Sequence, residues 1–293
     1  MNIEKLTIEQ GDVRKLLHLA NSDAALLYIY LLSGNILADA GKQLGMSAEQ
    51  CSCAAALLRQ MGLWSEERKA SFVPGERPAY SETDVMRAMD TDGDFRSLYG
   101  EVQRLLGKNL NTEELKILLG FHRYLGLPGE VISLLVCYCR ERARQKGSLR
   151  NPSLRSIEKE AYFWAEQGID TFEEAAAFIR MRNLKDSQLE QLKKLLQIRG
   201  RNLTPGEARY AESWLDMGFE KEVIAMAYER TCLNTGGLSW AYMNKILVRW
   251  HEADLHTVEA VKRGDKKNPV PMGASGKLGQ AELEAIQRVM QEG

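Results

Sequence analysis

The chain repeats itself, and this repeat constrains the fold more than any other feature of the sequence. Trp164 and Trp250 are 86 positions apart (250 − 164 = 86), and Thr171 and Thr257 keep the same offset (257 − 171 = 86). Earlier in each copy the offset is 93 for Leu110 with Leu203 and Glu114 with Glu207, and 92 for Gly126, Glu130, Val131 and Ile132 with Gly218, Glu222, Val223 and Ile224. Such self-similarity is the sequence signature of a repeated structural unit, and small drifts in offset place insertions in loops. Residues 92–263 are therefore predicted to form two related bundles of four or five helices each, and the last helix of each bundle is predicted to be short and capped by Thr171 or Thr257.

The helix that ends in the shared tryptophan has one common face in the two copies. Its apolar positions follow i, i+4, i+7, the spacing of a helix face turned to the core: Ile157, Ala161 and Trp164 in one copy, Met243, Leu247 and Trp250 in the other. Ser153 and Ser239 take the same predicted N-cap position. The neighbouring stripe differs, since Tyr242 and Ile246 replace Ser156 and Glu160. We expect Ile246 in the core and Tyr242 mostly packed with its hydroxyl near solvent. Whether that stripe binds a ligand or seats the final helix stays open.

The N-terminal region has the order of a winged helix-turn-helix. Residues 23–32 form an apolar run with helical character, for which Ser22 or Asp23 is the predicted N-cap. Two helices then follow, separated by a turn at Gly45, the second capped by Ser47. A β-hairpin is predicted from Trp64 to Val73. The second helix offers Gln50, Arg59 and Gln60 against Glu49 for reading bases, with small residues elsewhere. This composition favours self-association or partner binding over base-specific readout.

Composition shifts divide the chain into four predicted parts. A Pro- and Gly-containing linker, VPGERPAYSETD (73–84), carries a capping pattern from Ser81 to Asp84 and leads into the repeats. A Gly-, Pro-, Lys- and Ser-rich stretch follows the second repeat and is predicted to be flexible, with a short amphipathic segment near its end. The predicted fold is mainly α: a winged-helix domain (1–78), two homologous helical domains (79–183 and 184–263) and a tail (264–293).

Composition and motifs exclude several functional classes. With 44% hydrophobic and 27% charged residues the chain has the profile of an ordinary soluble protein, and a net charge of −1 excludes a histone-like basic one. No apolar run long enough for a membrane span and no signal peptide is present, which predicts the cytoplasm. Phosphate-loop, zinc-protease and nucleophile-elbow motifs are missing, so we expect neither catalysis nor a cofactor. DTDGD (90–94) is interpreted as a helix N-cap, and the five cysteines as reduced, packed thiols with no metal.

Basic residues cluster in two related places. One cluster surrounds the loop before the first tryptophan helix and includes Arg140, Arg144, Lys146 and Arg150. The other surrounds the second tryptophan helix and includes Lys245, Arg249, Lys262, Arg263, Lys266 and Lys267. Grouped cations neutralise phosphates with affinity that falls with salt, and interleaved Tyr242 and Trp250 could stack on bases. Alternatively, these cations only complement the dipoles of helix C-termini.

The stretch YMNKILVRWHEADLHTVEAV resembles the signature of the DnaD-type replication initiation family of Gram-positive bacteria and their phages. Tyr242, Ile246 and Trp250 occupy the positions of the Tyr, Ile and Trp that mark a DnaD/DnaB homology domain. The winged helix, GERPAYSETDV, ILLGFHRYLGLPGEVISLLVCYC and IEKEAYFWAEQGIDTFEEAAAFI extend the resemblance over nearly the whole chain. Two tandem homology domains depart from the single copy of DnaD itself, which leaves the exact partner open.

The resemblance implies a non-enzymatic, nucleoid-associated protein of replication initiation or primosome assembly. It implies self-association through the winged helix, and binding of single- and double-stranded DNA with little sequence preference through the Tyr/Ile/Trp helix and the segment after it. Its expected partners are DNA, a replication initiator or helicase loader, and further copies of the same chain. Two other readings stay open: a scaffold that binds only proteins, and a winged-helix transcription regulator from a phage or mobile element.

Overall fold

A computed structural model describes residues 6–65, 75–76 and 78–265, and in these residues the chain is built from helices. The prediction of a mainly α fold is confirmed. The chain divides into two compact units, Met1–Ser187 and Gln188–Gly293, called here the first and the second unit. The predicted tail lies outside the described residues from residue 266 onward.

The helices of the first unit precede and include the first repeat. They are α1 (Gln10–Leu19), α2 (Ser22–Leu32), α3 (Leu37–Leu44), α4 (Ala48–Gln60), α5 (Glu82–Thr91), α6 (Gly93–Leu106), α7 (Thr112–Leu119), a π turn (Gly120–Tyr124), α8 (Gly129–Gln145) and α9 (Leu154–Glu166). Helix α10 (Phe172–Leu195) carries the boundary between the units. The second unit continues with α11 (Pro205–Asp216), α12 (Lys221–Thr235), α13 (Trp240–Glu252) and α14 (Val258–Gly264).

Helices α3 and α4 follow each other with the predicted turn at Gly45 between them. Gly45 ends α3 with a φ of 68°, a left-handed conformation that glycine adopts without steric cost. Ser47 and Gln50 cap α4 reciprocally. The predicted N-cap of α2 was wrong by one or two residues: Asn21, rather than Ser22 or Asp23, accepts the hydrogen bond from the Ala24 amide, at 2.8 Å. The predicted hairpin falls largely on residues 66–73, outside the described residues, so the wing stays a prediction.

The first repeat packs its own hydrophobic core around Trp164. Asn111 and Glu114 form a capping box on α7, and Lys108 binds the Glu114 carboxylate at 2.5 Å. Asp92 caps α6 through the Phe95 amide, which confirms the interpretation of DTDGD as a helix N-cap. Because these caps satisfy backbone amides that have no partner inside the helix, they fix where each helix of the bundle begins.

Helix α10 departs from the predicted organisation. A short final helix was expected after Thr171, which does cap it by accepting from the Glu174 amide at 3.2 Å. The helix instead runs over 24 residues, from Phe172 to Leu195. No glycine or proline interrupts residues 172–195, so the last helix of the first repeat continues into the first helix of the second.

The second unit repeats the same plan. Thr204 and Glu207 form the capping box of α11, and Arg201 holds Glu207 from the position that Lys108 takes in the first repeat (108 + 93 = 201). Thr257 caps α14, as predicted, through the Ala260 amide. The prediction for Ser239 was wrong in part: it stands at the N-cap of α13 but accepts no capping hydrogen bond there, whereas Ser153 does cap α9.

Candidate nucleic-acid interface

Helix α13 presents its predicted core stripe to the interior of the second unit. Met243, Leu247 and Trp250 have no exposed surface. Ile246 is 4% exposed, which confirms it as a core residue, and Tyr242 is half-buried against the same core. The Tyr/Ile stripe therefore packs within the unit, on the core that also includes Val261 of α14.

A buried carboxylate lies under Trp250. The indole Nε1–H donates to Asp265 Oδ2 at 2.7 Å, and Arg249 Nη2 donates to both Asp265 oxygens at 3.0 and 2.9 Å. Arg230 donates to the same carboxylate from α12, with its guanidinium 5.0 Å from the centre of the Trp250 ring system. We call Arg230, Arg249, Trp250 and Asp265 the Asp265 cluster. It ties α12, α13 and the end of α14 together through charge-assisted hydrogen bonds.

The electrostatics of the Asp265 cluster keep its carboxylate ionised. Burial by itself raises the pKa of Asp265, but the hydrogen bond from Trp250 and the charges and hydrogen bonds of Arg249 and Arg230 outweigh it and hold the pKa below its usual value. The charged form is therefore the one that the folded unit selects.

The exposed cations of the second unit stand next to this cluster in sequence and on the helices. Lys245 precedes Arg249 by one helical turn, and Lys262 and Arg263 occupy the last turn of α14, just before Asp265. The side chains of Lys245, Lys262 and Arg263 are exposed. The side chain of Arg249 is 36% exposed and already paired, so it offers only part of its guanidinium to a ligand. Lys266 and Lys267 lie outside the described residues.

Trp250 differs from the other predicted contact residues. Its ring has no exposed surface, and its N–H is bonded to Asp265. An indole without an exposed face cannot stack on a base. Trp250 is therefore a core residue that holds α13 in place, and Tyr242 has only a part of its ring at the surface.

The basic cluster of the first repeat is split between structural and exposed residues. Arg140 donates to the backbone carbonyl of Leu105. Arg144, Lys146 and Arg150 are exposed, at the end of α8 and in the loop after it. These three side chains are available for phosphates, whereas Arg140 joins the end of α6 to α8.

The residues of α4 that could have read bases are used inside the fold. Arg59 Nε donates to Glu174 of α10 at 2.5 Å, and Gln60 contacts the same carboxylate at 3.5 Å. Glu174 is 4% exposed. Gln50 is committed to the capping box of its own helix. The face of α4 that ends in Arg59 therefore packs on α10, an arrangement that disfavours insertion of α4 into a DNA groove.

His251 of α13 and His256 of the loop that follows are also packed against each other. His256 Nε2 lies 2.7 Å from His251 Nδ1, and the buried His256 ring stacks on Phe219 with 4.8 Å between ring centres. Within residues 6–65, 75–76 and 78–265 no group of three or more His, Cys, Asp or Glu side chains is arranged to hold a metal ion.

The comparison with protein families decides the identity of the second unit. Residues 192–264 match a family model described as "Replication initiation and membrane attachment". The chain carries a domain of the DnaD-like replication initiation family. No curated protein and no solved structure matches the chain. The matched residues of this DnaD-like domain run from the end of α10 to the last residue of α14.

The family description also mentions membrane attachment. Of the helices in the described residues, none is by itself long and apolar enough to cross a bilayer; α2 and α3 reach the threshold only when joined, and they are bent by 119° at their junction.

Sequence reasoning missed the two buried charged members of the Asp265 cluster, Arg230 and Asp265. Both have a signal in the repeat. At the offsets of the two copies, Arg230 replaces Tyr138 (138 + 92 = 230) and Asp265 replaces Ile179 (179 + 86 = 265), while Arg249 replaces Phe163 (163 + 86 = 249). Three apolar or aromatic positions that become charged together indicate a shared ionic contact in the DnaD-like domain.

Proposed function

We propose that this protein binds DNA during replication initiation or primosome assembly, largely without sequence preference, and recruits initiator or helicase-loading partners. The observation that carries the proposal is the family match over residues 192–264, the unit whose exposed Lys245, Lys262 and Arg263 stand beside the Asp265 cluster. Its role is to bind and assemble, without bond-making chemistry, in the cytoplasm at the nucleoid.

The physics of such a surface predicts a salt-sensitive interaction. Exposed Lys and Arg side chains neutralise phosphates and release condensed counterions, which contributes affinity that depends little on sequence. The Asp265 cluster keeps the last turn of α14 in place against Arg249, so the cations on the two helices are presented from a fixed frame. The occupied face of α4 supports binding through the second unit over base readout by a winged helix.

A titration with a labelled mixed-sequence duplex, followed by fluorescence anisotropy at several salt concentrations, tests the proposal. The K245A/K262A variant should bind more weakly at every salt concentration, and the slope of log K against log salt should fall by about 1.8 if both lysines contact phosphates. The same titration with an oligothymidylate reports the single-stranded mode.

The matched control is K194A/R199A, which removes the same charge from exposed residues at the end of α10 and just after it. Equal loss of DNA affinity in both double variants would mean that net charge alone explains the effect. It would contradict the assignment of DNA binding to the surface that carries Lys245 and Lys262. Absence of binding to either DNA at low salt would contradict the proposal and favour a scaffold that binds only proteins.

Self-association through the N-terminal helices is the second part of the proposal. Large apolar side chains are exposed on α1 and α2, including Leu17 at 73%, Leu26 at 46% and Ile29 at 43%. Exposed apolar groups of this kind favour burial against a second protein surface. Native mass spectrometry should show an oligomer that L17E/I29E converts to monomer, and a monomeric wild-type protein would contradict this part.

A further inference from the structure

Residues 75–76 and 78–80, called here the covering segment, lie outside any helix and contact one face of the first repeat. Tyr124 Oη donates to the carbonyl of Gly75 at 2.6 Å and accepts from its amide at 3.3 Å. Pro78, Ala79 and Tyr80 continue this covering segment and line a cavity of about 450 Å³ together with residues of α7, the π turn and α9. The Tyr80 ring lies 3.9 Å from the point where a side chain on Gly120 would begin. This face therefore contacts described residues of the chain that belong to no helix or strand.

The same face exists in the second repeat, with larger aromatic side chains. Three residues that line the cavity, Ile117, Phe121 and Glu158, match Tyr210, Trp214 and Asn244, and the buried Leu154 of the same helix as Glu158 matches Trp240, at offsets of 93 and 86. We call the rings of Tyr210, Trp214 and Trp240 the aromatic platform. The Trp214 and Trp240 rings are 5.3 Å apart at 17°, and those of Tyr210 and Trp240 are 6.2 Å apart at 22°.

The aromatic platform is rigid on its inner side and accessible on its outer side. Trp214 has no exposed surface, and its Nε1–H donates to Asn244 Oδ1 at 2.9 Å. Tyr210 and Trp240 stay half-exposed. In the first repeat α5 follows the covering segment and packs on α7. The described residues of the second unit begin within α10 and include no counterpart of α5 or of the covering segment.

The charges around the two faces indicate what kind of chain would bind. In the first repeat Lys116 pairs with Glu113 at 2.7 Å, and Glu113 and, more weakly, Glu82 raise the pKa of Lys116. Glu82 follows Tyr80 by two residues. In the second repeat Arg209 replaces Lys116 (116 + 93 = 209), and Gly206 replaces Glu113. The exposed Arg209 therefore has no carboxylate at that helix position, and an acidic residue from a bound chain would complement it.

We propose that the aromatic platform binds an extended segment of a partner protein, in which a proline and a tyrosine are followed by an acidic residue. Proline-containing extended chain loses little entropy on binding and docks on aromatic grooves. This inference rests on the proposed function, since it names the kind of segment through which a partner would be recruited. It does not depend on DNA binding. Lys245 lies five residues after Trp240, about 140° around α13, so the lysine assigned to DNA and the platform are on different sides of the helix.

The experiment measures binding of a fluorescein-labelled peptide, PGERPAYSET, which is the sequence of residues 74–83, to the full chain. We expect saturable binding of the peptide. The variant W240L, which places at position 240 the leucine that the first repeat has at Leu154, should weaken this binding about tenfold. A peptide with alanine in place of its tyrosine should lose a similar factor. Control variant F172L, which changes a half-exposed aromatic side chain of the first unit, should bind the peptide like wild type.

Two further readouts keep the outcome decisive. Variant Y210I, which places at position 210 the isoleucine that the first repeat has at Ile117, should lose peptide affinity as W240L does. It serves as the second variant if circular dichroism shows that W240L is misfolded. DNA affinity should be unchanged in both variants, so a failure of DNA binding and a failure of the platform are distinguishable. No peptide binding by the wild-type protein, or peptide binding by W240L and Y210I with wild-type affinity, overturns the proposal. Loss of oligothymidylate binding in these variants, without peptide binding, would assign the platform to base stacking instead.

Discussion

Trp164 and Trp250 take the same position in two copies of one helix, but their surroundings differ in kind. Around Trp164 the neighbours are aromatic: Tyr138 and Phe178 lie 5.8 and 5.5 Å from it between ring centres, and Phe163 packs on Phe178. Around Trp250 the equivalents of Tyr138 and Phe163 are Arg230 and Arg249, and both bind Asp265. One duplicated frame thus supports an apolar packing cluster and an ionic cluster.

The difference shows where each repeat keeps its charges. In the first repeat burial raises the pKa of the Tyr138 phenol, and the nearest cation, Arg142, stays half-buried at the rim, where it contacts the Tyr138 hydroxyl and Asp186 at 3.1 and 3.3 Å. In the second repeat the charges lie under the tryptophan itself. Buried ion pairs rarely add net stability over apolar packing, but they fix geometry and are costly to break. The second copy is therefore the one suited to present a charged surface from a fixed frame.

Removal of the shared carboxylate should give the largest effect. Variant D265A leaves Arg230 buried without its anion and deprives the Trp250 N–H of its acceptor, so it should destabilise the second unit by about 3–5 kcal/mol. Hydrogen exchange followed by mass spectrometry should show faster exchange in α12–α14 and little change in α6–α9. The control is D186A in the half-exposed pair with Arg142, expected to cost below about 1 kcal/mol. Comparable losses of stability in D265A and D186A would contradict the view that only the second repeat depends on a buried ionic cluster.

Acid should act in the same direction as D265A. Because the pKa of Asp265 is lowered in the folded unit, its ionised form contributes stability that is present at neutral pH and is lost as pH falls below the usual Asp range and through the lowered value. Exchange in α12–α14 should therefore accelerate at acidic pH more in wild type than in D265A. Equal acid sensitivity of the two proteins would contradict this assignment.

Some features of this fold could be predicted from the sequence and others could not. The core stripe of the tryptophan helices and the caps at Ser47, Thr171 and Thr257 were predictable, because they depend on residues within one or two helical turns of each other. The Asp265 cluster was not, because its cations lie on two different helices and a list of basic residues does not say which of them are already paired. Arg249 was therefore predicted as a phosphate contact, and only its exposed third is free for that role.

The length of α10 and the use of α4 were missed for a related reason. A cap predicts where a helix begins, but without a glycine or proline nothing local ends it, and α10 continues past the expected boundary. Arg59 and Gln60 looked available on the exposed face of a helix-turn-helix, yet Glu174, more than 110 residues later, takes both. A position-by-position comparison of the two repeats could have revealed the charges of the Asp265 cluster, because they replace apolar or aromatic residues of the first repeat.

Deletion of the indole N–H isolates one hydrogen bond from each tryptophan environment. W250F and W164F lose the same ring volume, so their difference reports the N–H groups. Trp250 donates to the buried Asp265 at 2.7 Å and Trp164 to the half-buried Glu160 at 3.3 Å. W250F should therefore cost about 1–3 kcal/mol more than W164F, as exchange in α13 and α9 would show. Equal costs would mean that the bond to Asp265 adds no stability beyond packing.

The smallest effect should come from the feature that the two repeats share, the cation bound to the capping-box glutamate. Arg201 donates to both oxygens of Glu207 at 2.6 and 2.8 Å, and this pairing, with the backbone amide of Thr204, lowers the pKa of Glu207 to about 2. The pair is exposed enough that R201A should cost less stability than any of the variants above. The pKa of Glu207, measured by carbon-detected NMR titration, should rise toward the ordinary Glu range in R201A and stay low in the K108A control. A pKa that remains near 2 in R201A would assign the shift to the helix N-terminus and Thr204, and the capping box alone would then account for what the two copies have in common.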